Sequence, residues 1–558
     1  MSTPSGVPAV FGLLFLSLTL HAQTPSSIDD SELAARAGAP LFEGMGNHHH
    51  PISTADPNAQ RYFDQGLVLS FAFNHAESAR SFRAAQNLDP ACAMCFWGEA
   101  LALGPNINVT SDGKAIMGDE DRKQAYRAAQ KALTLMDGAT PREREFITAL
   151  ATRYNGDPST PREPLDLAYL DAMRALYARH PDSDDAASLF AEAMMNTMPW
   201  DYWLDAETPK PLAAEAISVL ETVLERSPEH PLALHLYIHA VEASNKPERA
   251  EPAADRLAEL VPGAGHLVHM PAHIYWRVGR YDDASEANIR AAAVDEEYIA
   301  ACNAQGFYPA MYYPHNIHFL WASSSMQGRR DLAIDSARRV AASVPVEMIE
   351  QFPQVEFFHT IPLLSLTQFG MWEDILATPA PRDDFEFSNG IWHYARALAF
   401  ARTGDLDSAV GEHESLVELK DATDVVFLDS LFYPATMLLD IADSLVSGEL
   451  ALHSGAMDEA VAHFKDAVSV QDELPYMEPP FWYYPTRHTL GKALLADGRA
   501  AEAEAVYRRD LEIYPRNGWS MYGLMQSLTA QDKDASEIQQ QFDIAWRRAD
   551  VELTASQF

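Results

Sequence analysis

The 558-residue chain has only three cysteines, Cys92, Cys95 and Cys302, too few for a disulfide scaffold, so packing must hold the fold together. It has no glycine-rich phosphate loop, no His-Glu-x-x-His motif and no Gly-x-Ser-x-Gly elbow. The usual signals of nucleotide, metalloprotease and esterase chemistry are therefore missing. Basic residues are scarce: 41 Lys and Arg face 80 Asp and Glu, for a formal net charge of -39. Capture of nucleic acid or of an anionic membrane surface needs a cationic patch to displace counterions, so neither is expected, and cationic partners, metal ions included, are favoured. No apolar run reaches the roughly 20 residues that span a bilayer. Strand-like alternation is absent as well, which leaves a helical reading.

Val10 to Leu20 is an apolar run of signal-peptide length, followed by Leu20-His21-Ala22, where a small residue precedes a cleavage point. No Lys or Arg precedes the run. Residues 1–23 are read as a signal peptide, which makes the chain periplasmic or secreted with no membrane insertion after cleavage. Residues 24–59, rich in Ser, Pro, Gly and Asp, are expected to run extended over the surface, carrying Glu43 and His48-His49-His50. From Gln60 to the end the pattern is helical.

Gly66, Phe82, Ala85 and Pro90 recur as a spacing: Leu490-Gly491, Gly498, Ala503, Tyr507 and Pro515 form a second copy, and Gly448, Gly455, Ala460, Phe464 and Ala467 a third. Gly279, Gly328, Gly370 and Gly404, each followed five residues later by Ala284, Ala333, Ile375 or Ala409, mark further turns. These spacings resemble the tetratricopeptide repeat (TPR), a helix-turn-helix unit of about 34 residues. The resemblance implies an all-α, right-handed superhelical solenoid of some nine or ten hairpins over 60–558, with loop insertions. It also implies a concave groove lined by the first helix of each hairpin.

Aligned on that repeat, seven histidines occupy groove slots across 185–325. His266 and His315 share one slot, His235, His269 and His318 the next, and His239 and His273 a third. Glu242 and Trp276 share a fourth. Steps of three, four and three keep one face of a helix. Three hairpins offer twelve such slots, and seven hold histidine where 20 histidines in 558 residues would supply fewer than one. Crowded neutral imidazoles each bring an acceptor nitrogen that needs a partner, and a divalent metal supplies it. His235, His239, His266, His269, His273, His315 and His318 are accordingly the expected metal ligands. Imidazole with carboxylate suits a transition metal, zinc, copper or iron, and argues against magnesium and calcium.

Glu242 and Glu192 are candidate general bases, with Asp185 and Asn196 in the hairpin upstream as further polar neighbours. The aromatic inserts 296–314 and 473–485 are expected over the groove. His48-His49-His50 would cap it or lie in a solvated turn. Cys92 and Cys95 would form a local disulfide or remain inert thiols. Two functions stay open: a metal site, with or without catalysis on a small molecule, and a TPR scaffold that takes a peptide in its groove with no metal.

Overall fold

The computed structural model describes residues 30–108, 118–302 and 308–558, and the expected signal peptide lies outside the described residues. Among these residues the chain is an all-α solenoid of antiparallel helix pairs, from Pro57–Phe71 with His75–Leu88 to Gly518–Thr529 with Ser536–Ala545. The repeat residues do the work their spacing implies. The Phe82 ring lies where a Cβ on Gly66 or Gly98 would sit, Phe464 fills the place beside Gly448, and Tyr507 does so for Gly491 and Gly523. Glycine lets an aromatic ring close the gap between helices, and proteins packed to interior density tolerate no added methyl there. Gly404 and Gly455, at φ 92° and 78°, end their helices in the left-handed region that glycine enters without cost.

Three pairs went uncounted in the sequence, 93–134, 141–179 and 518–545, because their connections do not follow the glycine-plus-five pattern. In the last of them Asp532 takes the left-handed turn conformation. The described part of the segment expected to be extended contains a helix instead, Asp30–Ala37, with Asp30 and Glu32 in its first turn and Arg36 in its last, matching the helix dipole. From 38 to 56 the chain is irregular and is strapped across the solenoid: Gly263 N–H donates to Gly44 O, and Ser53 donates from both N–H and Oγ to Glu143. Among the described residues strand structure is confined to a two-stranded ribbon, Trp203–Asp205 with Thr208–Pro209.

Coiling joins distant hairpins. The helix that opens the solenoid, Pro57–Phe71, packs on Pro231–Val241. Near the other end Trp519 Nε1 donates to Ser325 O, and Arg547 pairs with Asp282. No helix of the described residues is long and apolar enough to cross a membrane. Cys92 and Cys95 are joined in a disulfide, and Cys302 is free.

Candidate metal centre

Three helix starts deliver the histidines. Pro231 opens Pro231–Val241, which carries His235 and His239. Gly265–His269 carries His266 and His269, breaks at Met270, and resumes as Pro271–Arg277 with His273. Tyr313–Met326 carries His315 just after Pro314. Proline tolerates only the first turn, where its missing N–H is no loss, so each one fixes where a ligand-bearing helix begins.

Six of the seven expected histidines converge. Ring centroids lie 4.9 Å apart for His235 with both His239 and His266, and 4.8 Å for His269 with both His273 and His315. The donor atoms of His235, His239 and His266 fall within 4.8 Å of one another, as do those of His269, His273 and His315. One ion bound at 2.0–2.1 Å spaces its donors about 3.4 Å apart, so modest inward rotation completes either set.

The rings are also oriented. His235 Nδ1 donates to the Phe71 carbonyl at 2.6 Å, His239 Nδ1 to Glu242 Oε1 at 2.8 Å, and His269 Nδ1 to Asn288 Oδ1 at 2.6 Å. His273 Nδ1 donates to Glu242 Oε2 at 2.5 Å and lies 3.1 Å from Glu478 Oε2. In His235, His239 and His269 the Nδ1–H is thus spent on an oxygen behind the ring, which turns the Nε2 lone pair inward, the arrangement that orients metal-ligating histidines. Nε2 of His235, Nε2 of His239 and both ring nitrogens of His266 have no hydrogen-bond partner, although these residues are at most 2% exposed. A buried polar atom left unpaired costs about 1–3 kcal/mol.

The electrostatics keep most of these lone pairs free. Burial, reinforced by neighbouring imidazoles, holds His235, His266, His269 and His315 well below the usual histidine range, and burial also lowers His239. His273 differs: burial pulls it down, but Glu242 and then Glu478 push it up to about 10. It carries a proton, and its Nε2 donates to His269 Nε2 at 2.9 Å. Glu242 would be raised by burial, yet His273 and His239 hold it well below the carboxylate range. Burial and the nearby Glu242 charge push Glu478 up to about 8.

Aromatic rings wall the cluster. Phe73 lies 4.5 Å from His235, Tyr312 4.7 Å from His266 and Trp200 5.2 Å from His239. Phe73 and Trp200 both have φ near +60°, where a non-glycine residue is strained by roughly 1–3 kcal/mol. The first hairpin turn thus spends its left-handed position on a ring over the histidines rather than on glycine. Asn108 joins the wall, accepting from Trp200 Nε1 and donating to Tyr312 Oη, both at 3.0 Å.

Two expected residues stand elsewhere. His318 stacks on Trp321 at 5.4 Å, among Phe357 and Phe358, and burial alone lowers it to about 3; it is a core ring outside the cluster. Glu192 is buried and raised by that burial, with Arg153 as its charged neighbour; no histidine acts on it, so it is not placed to serve as base. Glu242 stays within the cluster, in a further group of possible donors with His239 and His273, and both its oxygens are occupied by imidazole N–H groups, which makes it a positioning group and not a free base. Sequence reasoning missed Asn288 and the Phe71 carbonyl, which no local pattern marks. It pointed to the insert 473–485 but not to Glu478, the one acid there that reaches a histidine.

His48 and His50 gather around Asp185 with His230, away from the row. This group lines a cavity of about 830 Å³, with Glu143, Asp182 and Asp184 among its walls.

No family model and no curated protein matches the chain. Among solved structures, the human IFIT1 dimer with m7Gppp-AAAA is similar at 12% identity, covering 83% of this chain and 96% of that one with a TM-score of 0.31. The APC/C hetero-tetramer Cut9-Hcn1 is similar at 13% identity, covering 88% and 90%, with a TM-score of 0.27. Both are TPR-type helical-repeat proteins. The likeness stops at an architecture that the hairpins above already establish.

Proposed function

We propose that this solenoid is a metal-binding protein whose wound inner face holds a transition-metal centre, zinc, copper or iron, through His235, His239, His266, His269, His273 and His315. The observation that carries the reading is the set of buried, neutral imidazoles of His235, His239 and His266, whose ring nitrogens lack hydrogen-bond partners and gather within 4.8 Å of one another. Hydrogen bonding within the protein does not satisfy His266 at all. A bound ion would supply Lewis acidity for polarising a small ligand or activating water or dioxygen. The chain's own part is to orient the donors through Glu242, Asn288 and the Phe71 carbonyl, and to keep the pocket dry with Phe73, Trp200 and Tyr312. The peptide-scaffold alternative is weakened by burial, since an extended peptide cannot touch the rings of His235, His239, His266, His269 and His273, which are 0–2% exposed.

Export accompanies this reading: the Cys92–Cys95 disulfide suits an oxidising compartment. N-terminal sequencing of the protein recovered from its source should begin after Ala22; an intact Met1 would contradict export.

Elemental analysis of protein purified without chelator tests the metal reading. At least a few tenths of an equivalent of one transition metal is expected, abolished in a His235→Ala, His239→Ala, His266→Ala, His269→Ala variant that keeps its helical circular dichroism. Metal-free wild-type protein overturns it.

A further inference from the structure

The six rings are one motif used twice. His235 and His239, four apart on one helix, are completed by His266 from the first helix of the next hairpin; His269 and His273, again four apart, are completed by His315 from the hairpin after that. The two trios therefore occupy the same three repeat slots, one hairpin out of step. The series stops at the third copy because Ala322 stands four residues after His318, in the slot held by His239 and His273, and His318 is left among aromatics.

Building on the metal reading, we infer that the pocket holds two ions, one in each trio, of a late first-row divalent metal such as copper or zinc. Six imidazoles exceed what one such ion takes, since protein sites of these metals are four- or five-coordinate, whereas three donors each leave an open position for an outside ligand. The trios are neighbours: His239 and His273 lie 5.4 Å apart by ring centroid, and His266 and His269 5.8 Å. Glu242 ties them together, one carboxylate oxygen on a ligand of each trio, at 2.8 Å and 2.5 Å. A single carboxylate thus aligns two sites, and their open positions can share one small ligand. A donor set made of imidazole alone fits copper and zinc better than metals that want carboxylate oxygen.

The test is native mass spectrometry of the full chain, stripped by chelator and titrated in separate arms with zinc and with copper. Two ions per chain are expected in at least one arm, with one ion retained by a His235→Ala, His239→Ala variant and one by a His269→Ala, His273→Ala variant. One ion in the wild type overturns the pair while leaving the metal reading intact. None in either arm overturns both. Two ions whose number neither variant lowers place the binding elsewhere on this acidic surface and also overturn the pair.

Discussion

Two groups of histidines gather around a carboxylate in this chain, and the position of the carboxylate separates them. In the inner cluster Glu242 sits behind His239 and His273, taking their Nδ1–H groups and leaving Nε2 atoms to face one another. At the N-terminal strap Asp185 sits in the middle: His50 Nδ1 approaches it at 2.6 Å, and Nε2 of His48 and of His230 at 3.1 Å each. His230 Nδ1 already accepts the Ala233 N–H at 3.2 Å as a helix cap, so its proton must sit on Nε2, pointing at Asp185. That nitrogen cannot ligate an ion without breaking the cap. Similar residues turn their nitrogens toward one another in one place and form a latch around a central carboxylate in the other, where the donor atoms of His48, Asp185 and His230 also lie within 4.8 Å of one another.

The largest effect should come from the latch. Asp185→Ala leaves the buried imidazoles of His50 and His230 and the part-buried one of His48 without their acceptor, and removing one side of a buried charged contact costs about 3–5 kcal/mol. Denaturant melts should show that loss, and limited proteolysis should open within 38–56, while the bound metal count stays at its wild-type value. Loss of metal in this variant would break the distinction between the two groups.

Glu242→Gln acts on the other side of the comparison. It keeps the shape but cannot accept from two imidazoles as a carboxylate does, and loss of such an orienting group weakens metal affinity about 10–100-fold. Competition with a chromophoric chelator reads it, and unchanged affinity would show that Glu242 does not align the donors.

A more gradual contrast is expected with pH in the metal-free chain. His273 has a folded pKa above its ordinary 6.5, so its contact with Glu242 stabilises in full below that pH and is lost as pH climbs toward about 10. Asp185 lies well below 3.8 despite its burial, because His230, His48 and His50 donate to it. Its contacts stabilise in full above about pH 3.8 and are lost only as pH falls further. Denaturation midpoints should therefore fall at the alkaline end in wild type but not in Glu242→Gln, and Asp185→Asn should flatten the acid end alone. The smallest effect is reserved for His318→Phe, which should leave metal content unchanged and the fold within about 1.5 kcal/mol, as a volume-conserving core change does; lost metal would return His318 to the ligand set.

The helical architecture was legible because glycine, aromatic and alanine recur at fixed spacings, and the structure uses Gly66 with Phe82 and Gly491 with Tyr507 as those spacings require. The convergence of His235, His239, His266, His269, His273 and His315 was legible for the same reason, since equivalent slots of a repeat face the same way. His318 shares a slot with His235 and His269, yet slot identity says nothing of what packs opposite, and Phe357 and Phe358 take that place. Glu192 is similar, because its charged neighbour, Arg153, lies in the turn of the preceding hairpin, which slot alignment does not show. Glu478 and Asn288 were out of reach: one arrives from more than 200 residues away by coiling, the other from the second helix of a hairpin. The strap at 38–56 has no period to read, so its latch on Asp185 appears only in three dimensions.

X-ray absorption of the loaded wild-type protein tests the central claim most directly. A first shell of nitrogen at about 2.0–2.1 Å, with the outer-shell scattering of imidazole rings at roughly three per ion, is the result the inward-facing Nε2 atoms require. A shell of oxygen alone, as from surface carboxylates, would contradict it.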